Sequence, residues 1–355
     1  MRIGIPREIK PLEGRIALLP DACRQLVDAG HEVMVEQGAG VLSGYADTLY
    51  EDAGARIAAD HAGLFTASEL IVKVKEPQPE ELELLQREHC LFSFLHLAAE
   101  PELTARLQSI GLTAIGFETV EEDSGGLPIL APMSDIAGRI ATQIATTLLH
   151  SPQGGKGQLL GGIPAIGRGR VVIIGAGSAG GNAALLAAAS GAEVTVFDLG
   201  REQLAAMRAL GNNVTALYPY RAALETAVAS ADIVIGAVLN TGRQAPHIVT
   251  RNMVRQMEPG SVVVDISVDQ GGCIETTHPT TWDNPTYIEE GVVHFTVTNM
   301  PGAVPRSASQ ALSAVLTPYV LALAGPDWKA VKPLSRGINI EAGTIRHPAL
   351  KETFA

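Results

Sequence analysis

The sequence predicts an α/β protein made of two doubly wound, Rossmann-like parallel-sheet domains with a cleft between them. Short apolar runs alternate with helical patterns over residues 1–125, which is typical of βαβ units. A second alternating series follows a glycine-rich loop at residues 153–169, and its strands are nearly continuous apolar runs, as in strands buried on both faces. The length of 355 residues accommodates two domains of ordinary size.

Each element of this prediction has its own pattern in the chain. The first series predicts strands at 2–6, 32–36, 70–75, 91–96 and 113–118, and helices at 20–29, 80–87 and 101–109. A helix is expected from Ser134, as its N-cap, to His150. A long apolar helix covers 308–324, where Pro318 should kink the helix or end its first half, and residues 333–355 show no sustained period.

Composition and charge exclude several classes of protein. The net charge of −12 argues against nucleic acid or an anionic membrane as the main partner. The three cysteines are far apart with no CxxC spacing, so we expect no disulfide and no thiolate metal site, as suits a reducing cytoplasm. The N-terminus has no apolar signal core, and no window of eighteen residues is apolar throughout. We therefore expect a cytoplasmic protein without a membrane span.

A dinucleotide-binding fingerprint lies at residues 171–198, where Gly175-x-Gly177-x-x-Gly180 follows an apolar strand and opens a helix. Gly175 permits the tight turn, Gly177 lets the backbone approach the pyrophosphate, and Gly180 lets the helix pack closely on the strand. The diphosphate is expected at the positive end of the helix. A glycine-rich turn in an unrelated α/β protein is the alternative, and FAD proteins usually carry a similar fingerprint at the extreme N-terminus rather than mid-chain.

Asp198 ends the second strand of the fingerprint, where a carboxylate accepts hydrogen bonds from the ribose hydroxyls. A carboxylate there would repel a 2′-phosphate, so the sequence predicts NAD rather than NADP as the cofactor of a hydride-transfer dehydrogenase. Arg201, three residues later, works against this preference. The NAD-binding domain is expected at 128–307, and the substrate domain at 1–127 together with 308–355.

Four polar residues lie where a substrate site is expected. Lys75 and His96 end predicted strands, Asp269 follows another, and Arg15 follows a polar turn. Ligands bind at the carboxyl ends of strands in open α/β sheets. Arg and Lys can hold a carboxylate, and His can move protons near neutral pH. Taken singly, each has a plain alternative: a solvated strand end for Lys75, a core histidine, a turn-capping aspartate and a surface arginine.

Several motifs together resemble the family of alanine dehydrogenases and nicotinamide nucleotide transhydrogenase α subunits. The resemblance spans nearly the whole chain, and the motifs are MRIGIPREIK, EGRIALLP, KVKEP (73–77), FLHLA (94–98), APMSDIAGR (131–139), DQGG (269–272), HPTT (278–281) and NMPGAVPRS (299–307).

The resemblance implies a reversible reaction in which alanine, NAD and water give pyruvate, ammonium and NADH. Arg15 and Lys75 would bind the substrate, His96 would be the general acid/base, and Asp269 would assist the water and ammonia steps. The cofactor would contact Ser134, Gly175, Gly177, Ser178, Ala179, Gly180, Asp198, Val238, Leu239, Ile266, Val268, Asn299 and Met300. The family usually assembles as a homohexamer.

The chain departs from the family pattern at a few positions around the cofactor. Asn240-Thr241-Gly242-Arg243-Gln244 stands where Pro-Gly-Ala-Lys is common, His278 stands for an arginine, and Pro219 for a serine. Gly325-Pro326-Asp327 stands where family members that bind magnesium carry a histidine, so no metal site is expected. Two other functions stay open: a dehydrogenase of a related small amino or N-substituted amino acid, and a transhydrogenase-like NAD-binding subunit without catalytic activity of its own.

Overall fold

The described residues, 1–238 and 246–354 of a computed structural model, form two compact units. The first consists of Met1–Met133 and Gly302–Ala355, and the second of Ser134–Pro301. Their strands, in chain order, are β1 Arg2–Ile5, β2 Glu32–Glu36, β3 Arg56–Ala58, β4 Leu70–Val72, β5 Cys90–Ser93, β6 Thr113–Gly116, β7 Arg170–Ile174, β8 Glu193–Phe197, β9 Val214–Leu217, β10 Ile233–Gly236, β11 Val262–Asp265, β12 Thr286–Glu289, β13 Val292–Phe295, β14 Ile338–Glu341 and β15 Thr344–Ile345.

The helices of the same residues alternate with these strands. They are α1 Pro20–Asp28, α2 Asp47–Asp52, α3 His61–Ala67, α4 Pro79–Leu82, α5 Pro101–Ile110, α6 Ala131–Leu148, α7 Ser178–Ala189, α8 Arg201–Arg208, α9 Arg221–Ala229, α10 Arg251–Arg255, α11 Pro305–Leu323, α12 Lys332–Arg336 and α13 Pro348–Thr353.

The sheet of the first unit has the strand order β15-β14-β6-β5-β4-β1-β2-β3. Strands β1 to β6 pair in parallel, whereas β14 and β15 add an antiparallel edge. Leu91 of β5 and Ile71 of β4 are fully buried with Phe65 and Leu64 of α3 in one hydrophobic cluster. The central parallel strands thus end together at one edge of a well-packed sheet.

The sheet of the second unit has the order β12-β13-β11-β10-β7-β8-β9. All pairs are parallel except β12 with β13. The chain leaves β7 for β8 on one side, while β10 lies on the other side of β7. This change of direction creates a crevice at the carboxyl ends of β7 and β10, the usual place for a nucleotide.

The predicted α/β class is confirmed, with the correction that both sheets are mixed rather than wholly parallel. The strands that the sequence analysis did not identify, β3, β9, β12, β14 and β15, lie at or next to the sheet edges. Edge strands are short and half-exposed, so they lack the apolar runs that mark the central strands.

Several predicted element ends were wrong. Strand β4 ends at Val72 rather than at 75, and β5 ends at Ser93 rather than at 96. Helix α6 begins at Ala131, so Ser134 lies inside the first turn and is not the N-cap. Helix α11 continues through Pro318 because buried side chains along its whole length pack it against the rest of the first unit.

Candidate active site

One edge of the first sheet carries Lys75 and His96, two of the four polar residues that the sequence pointed to, whereas Asp269 belongs to the second unit. The neighbouring parallel strands β1, β4, β5 and β6 end there, and Lys75, His96 and Glu118 follow the last three of them. Because Val72 pairs with Phe92 and Ser93 pairs with Gly116, the segments after these strands leave the sheet side by side.

Arg15 lies in the loop after β1 and is almost completely buried, with 3% of its surface exposed. Its Nε and Nη2 donate to the two carboxylate oxygens of Glu13 at 2.7 and 2.6 Å. Nη1 lies 3.4 Å from the sulfur of Met133. The bidentate pair fixes the plane of the guanidinium, so the plain alternative of a surface arginine was wrong.

Lys75 lies three residues beyond the end of β4 and is half-buried. Burial lowers the pKa of Lys75 below its ordinary value; Glu76 opposes the change, and Arg15 and Lys10 reinforce it. Within residues 1–238 and 246–354, the Lys75 ammonium makes no hydrogen bond or ion pair. A desolvated cation beside a second cation is a suitable partner for a small carboxylate.

His96 adopts a left-handed backbone conformation with φ of 50°. This conformation is rare for residues other than glycine and is strained. Glu118 stabilises it, since its carboxylate accepts the backbone N–H of His96 at 2.7 Å and that of Leu95 at 3.2 Å. The imidazole ring lies parallel to Phe94, with 5.9 Å between centroids. Glu118 thus fixes the turn that carries the half-buried imidazole.

A chain of buried charges lies next to this edge. Lys73 contacts Glu8 and Glu81, and the imidazole of His61 lies 3.1 Å from Glu81 and 2.6 Å from Glu36. Burial opposes protonation of His61, but the hydrogen bonds and charges of Glu36 and Glu81 outweigh it and raise the pKa of His61 to about 9. The imidazole is therefore a cation at neutral pH.

We expect the free energy of unfolding to decrease as pH rises from 6.5, the ordinary pKa of histidine, to about 9. The folded state holds the proton more tightly, so this stabilisation is complete below 6.5 and is lost as pH passes the raised pKa. At about 1.4 kcal/mol per pKa unit, the loss reaches roughly 3 kcal/mol. Urea unfolding at several pH values between 6.5 and about 9 measures this change in the free energy of unfolding. The His61→Gln variant should show a flatter pH dependence, and an unchanged slope would contradict the assignment.

In the second unit, the glycine loop between β7 and α7 has the geometry that a dinucleotide requires. Gly175 has φ of 97°, and a Cβ there would lie 2.4 Å from the carbonyl oxygen of Ala237. A Cβ at Gly180 would lie 1.8 Å from the carbonyl oxygen of Gly175. A Cβ at Gly177, by contrast, would meet nothing within 4 Å, and Ser178 at the start of α7 is exposed. The loop thus leaves open space for a phosphate at the positive end of a twelve-residue helix.

Asp198 directly follows β8 and lies beside this loop. Its carboxylate oxygens accept the N–H of Ala176 at 2.7 Å and that of Gly200 at 2.7 Å. The two backbone contacts hold the carboxylate next to the phosphate-binding turn and leave lone pairs for ribose hydroxyls. Arg201 begins α8 and is exposed. These residues fit the adenosine half of NAD.

The remaining predicted cofactor residues follow neighbouring strand ends of the same sheet. Val238 comes after β10, Ile266 and Val268 after β11, and Asn299 and Met300 after β13. Ala179 lies in the first turn of α7, and Ser134 lies in α6, whose Gly138 would clash with Ala179 if it carried a Cβ. Leu239 lies outside the described residues, as do the departures at Asn240 and Thr241.

Asp269 lies in a short 3₁₀ helix after β11 and is exposed. The loop that carries it is organised by Asp265, which the sequence analysis did not single out. The buried Asp265 carboxylate accepts the N–H groups of Ser267, Cys273 and Ile274 at 3.0, 2.9 and 3.2 Å and the hydroxyl of Thr277 at 2.7 Å. The acid therefore fixes both ends of the turn around Asp269.

Glu118 opens a run of charged residues at 118–123, a pattern that in the sequence favours a solvated segment. Glu121, Glu122 and Asp123 are exposed as expected, but Glu118 is half-buried under His96. Its signal in the sequence was its position at the end of the predicted strand 113–118, although strand β6 itself ends at Gly116. His278, where the family carries an arginine, stacks on Tyr287 at 4.0 Å between ring centroids.

Within the part of the chain that the structure describes, no helix combines the length and apolar composition needed to cross a bilayer.

Comparison with known proteins covers almost the whole chain. Residues 4–137 match the family described as Alanine dehydrogenase/PNT, N-terminal domain, and residues 141–348 match its C-terminal domain. An alanine dehydrogenase of Halomonas elongata is 47% identical, over 100% of this chain and 97% of its own length. A solved L-alanine dehydrogenase matches with a TM-score of 0.95 and 48% identity, covering 100% of this chain and 99% of that one. A transhydrogenase from Sinorhizobium meliloti has a TM-score of 0.85 and 27% identity, with 98% and 100% coverage.

Proposed function

The chain belongs to the Alanine dehydrogenase/PNT family, and on that premise we propose that it catalyses the reversible oxidative deamination of L-alanine to pyruvate and ammonium. It is an NAD-dependent amino-acid dehydrogenase. The observation that carries this function is the full-length similarity to alanine dehydrogenases. The cations and imidazole at the edge of the first sheet suit this chemistry.

Arg15 and Lys75 bind the substrate in this proposal. Lys75 is the stronger candidate for the substrate carboxylate or carbonyl, because its ammonium is desolvated and has no internal ion pair among the described residues. The Arg15 guanidinium is held in one plane by Glu13, so its orientation is fixed before substrate binds. Together they orient a two- or three-carbon acid before any bond changes.

His96 and Asp269 move protons. When bound, NAD would supply the acceptor for the hydride that leaves the substrate Cα in the direction of alanine oxidation. The substrate imine must then take up water and release ammonia. These steps require a group that accepts a proton and later returns it, and the half-buried imidazole of His96 suits that role. Asp269, on the loop fixed by Asp265, assists the water and ammonia steps.

A direct assay tests this function. We expect the purified protein to consume NADH, followed by its near-ultraviolet absorbance, when pyruvate and ammonium are both present but not when either is omitted. Alanine with NAD should drive the reverse change. Other 2-oxo acids and amines in the same assay test the related-substrate alternative. Tight NADH binding without consumption under any of these conditions would contradict the proposal and favour a transhydrogenase-like subunit.

Asp198 determines the preference for NAD in this proposal. We expect Asp198→Ser to lower kcat/KM for NADH by about tenfold, equivalent to about 1.4 kcal/mol, and to raise it for NADPH. The variant loses acceptors for the ribose hydroxyls and the charge that repels a 2′-phosphate. Glu193→Ser, an exposed carboxylate at the opposite end of the same strand, is the matched control. An unchanged NADH/NADPH ratio in Asp198→Ser would overturn the assignment.

We also propose a cytoplasmic homohexamer, on the strength of the family resemblance. Leu159, Ile163 and Ile166 of the second unit are each about half-exposed, at 49%, 55% and 54%, and exposed apolar groups of this kind favour association. Six chains of 37.2 kDa give about 223 kDa. Light scattering after size-exclusion chromatography measures this mass, and a mass near that of one chain would contradict the assembly.

A further inference from the structure

A buried ion pair between Glu8 and Lys73 contacts the backbone of Lys75. Glu8 follows β1, and Lys73 is the first residue after β4, so the two come from neighbouring parallel strands. Their side chains are 2% and 1% exposed, and Lys73 Nζ lies 3.0 Å from Glu8 Oε2. Desolvating two charges costs as much as such a pair returns, and a pair of apolar side chains would stabilise the fold at least as well. Stability therefore does not explain why the fold contains this ion pair, and another reason is required.

The contacts of this pair with the backbone supply that reason. Glu8 Oε1 accepts the N–H of Val74 at 2.5 Å, and Oε2 accepts the N–H of Lys75 at 3.3 Å. The Lys73 ammonium donates to the carbonyl oxygen of Lys75 at 3.0 Å. Both polar groups of the Lys75 backbone are thus held by the two members of one ion pair.

The segment after Lys75 is held in the same way. Lys73 Nζ also lies 3.3 Å from Glu81 Oε2. The same Glu81 oxygen accepts the N–H of Gln78 at 2.7 Å. One buried ammonium therefore connects two carboxylates that between them anchor the backbone at residues 74, 75 and 78. The carbonyl oxygen of Val74 still accepts the N–H of Phe94 at 3.1 Å, but beyond it the chain has left the sheet and these side chains replace the strand ladder.

The position of the Lys75 ammonium depends on this backbone. No ion pair within the described ranges holds the ammonium itself. Its four-carbon side chain therefore takes its direction from the Cα position and from packing. A displacement of about 1 Å at a substrate-binding group is enough to lose a large part of the rate.

We propose that Glu8 and Lys73 are positioning residues of the reaction: their buried ion pair clamps the backbone of Lys75 and so sets where its ammonium meets the substrate. This inference rests on the substrate-binding role proposed for Lys75. Neither residue touches the substrate, and both act through Lys75.

The double variant Glu8→Gln/Lys73→Met tests the clamp, because it removes both charges and leaves neither buried alone. We expect its KM for pyruvate to rise at least tenfold, while its KM for ammonium and its Kd for NADH change less than twofold. The matched control is Lys156→Met, which breaks another ion pair: Lys156 Nζ and the buried Asp232 are 2.5 Å apart in the second unit. It should lower the thermal midpoint without raising the KM for pyruvate.

Lys75→Met, made alone and in the double variant, distinguishes a failure of the clamp from a failure of the role proposed for Lys75. If Lys75→Met leaves the KM for pyruvate unchanged, the proposed role of Lys75 fails. If it raises this KM and the double variant does not, the clamp is overturned while the function stands. The clamp predicts that Lys75→Met adds no further loss in the double variant, because both changes act through one ammonium. Additive losses would overturn it.

Should the double variant not fold, Glu8→Asp gives the same test. The shorter side chain keeps the charge beside Lys73 but cannot reach both N–H groups. We expect about a threefold rise in the KM for pyruvate with an unchanged thermal midpoint. An unchanged KM would overturn the clamp.

Discussion

Replacing His96 by alanine is expected to lower kcat by about 10²–10⁴-fold, the usual contribution of a general acid/base, and to leave NADH binding intact. The imidazole belongs to the first unit, whereas the glycine loop and Asp198 belong to the second. The variant would remove the proposed proton-transfer group and leave every residue of the glycine loop and Asp198 unchanged. Steady-state assays in both directions and fluorescence titration with NADH measure the two quantities.

The His96 result needs a control for the backbone. Its left-handed φ is held by Glu118 through the N–H of His96, which alanine retains. His31→Ala, a half-buried histidine beside β2, is the matched variant and should keep full turnover. Equal loss of turnover and of NADH binding in His96→Ala would mean that His96 is structural.

Replacing Gly180 by alanine is expected to abolish NADH binding and to destabilise the second unit by about 3 kcal/mol or more. The added Cβ would lie 1.8 Å from the carbonyl oxygen of Gly175 and 2.9 Å from its carbonyl carbon. Both contacts are with backbone, so the helix must move away from the strand that carries the phosphate-binding turn. The thermal midpoint and the Kd for NADH should worsen together.

The neighbouring change Gly177→Ala separates cofactor contact from packing. Its Cβ would meet nothing within 4 Å, and φ is −70°, which any residue adopts. We expect an unchanged thermal midpoint but at least a tenfold rise in the Kd for NADH, because the methyl group fills the space that the pyrophosphate approaches. Wild-type NADH affinity in this variant would show that the cofactor does not approach at Gly177.

The fold class, the family and the NAD-dependent enzyme class were predictable because their signals are local. The fingerprint that leads to Asp198 needs a strand, a turn, a helix and a second strand in sequence. The structure confirms this order, with β7, α7 and β8 in place. The central strands were also recognisable, since burial on both faces leaves no polar alternation. Short edge strands such as β9 and β12 have no such pattern and were missed.

What held the candidate residues in place was not predictable, because the supporting contacts are distant in the sequence. Glu8 and Lys75 are 67 positions apart, and His96 and Glu118 are 22 apart. Nothing around Glu8 in the sequence distinguishes it from a surface acid. Its burial follows only from the parallel pairing of β1 with β4.

The sequence by itself indicated the chemistry: a fingerprint typical of dinucleotide binding, and the types of side chain that follow the strands. The tertiary structure alone decided where the strands end, why His96 takes a strained backbone, and which carboxylates hold Lys75 and the Asp269 loop. The physical reason is the sheet. A hydrophobic pattern reports whether a strand is buried, but only the pairing of strands determines which polar groups share an edge and must satisfy one another there.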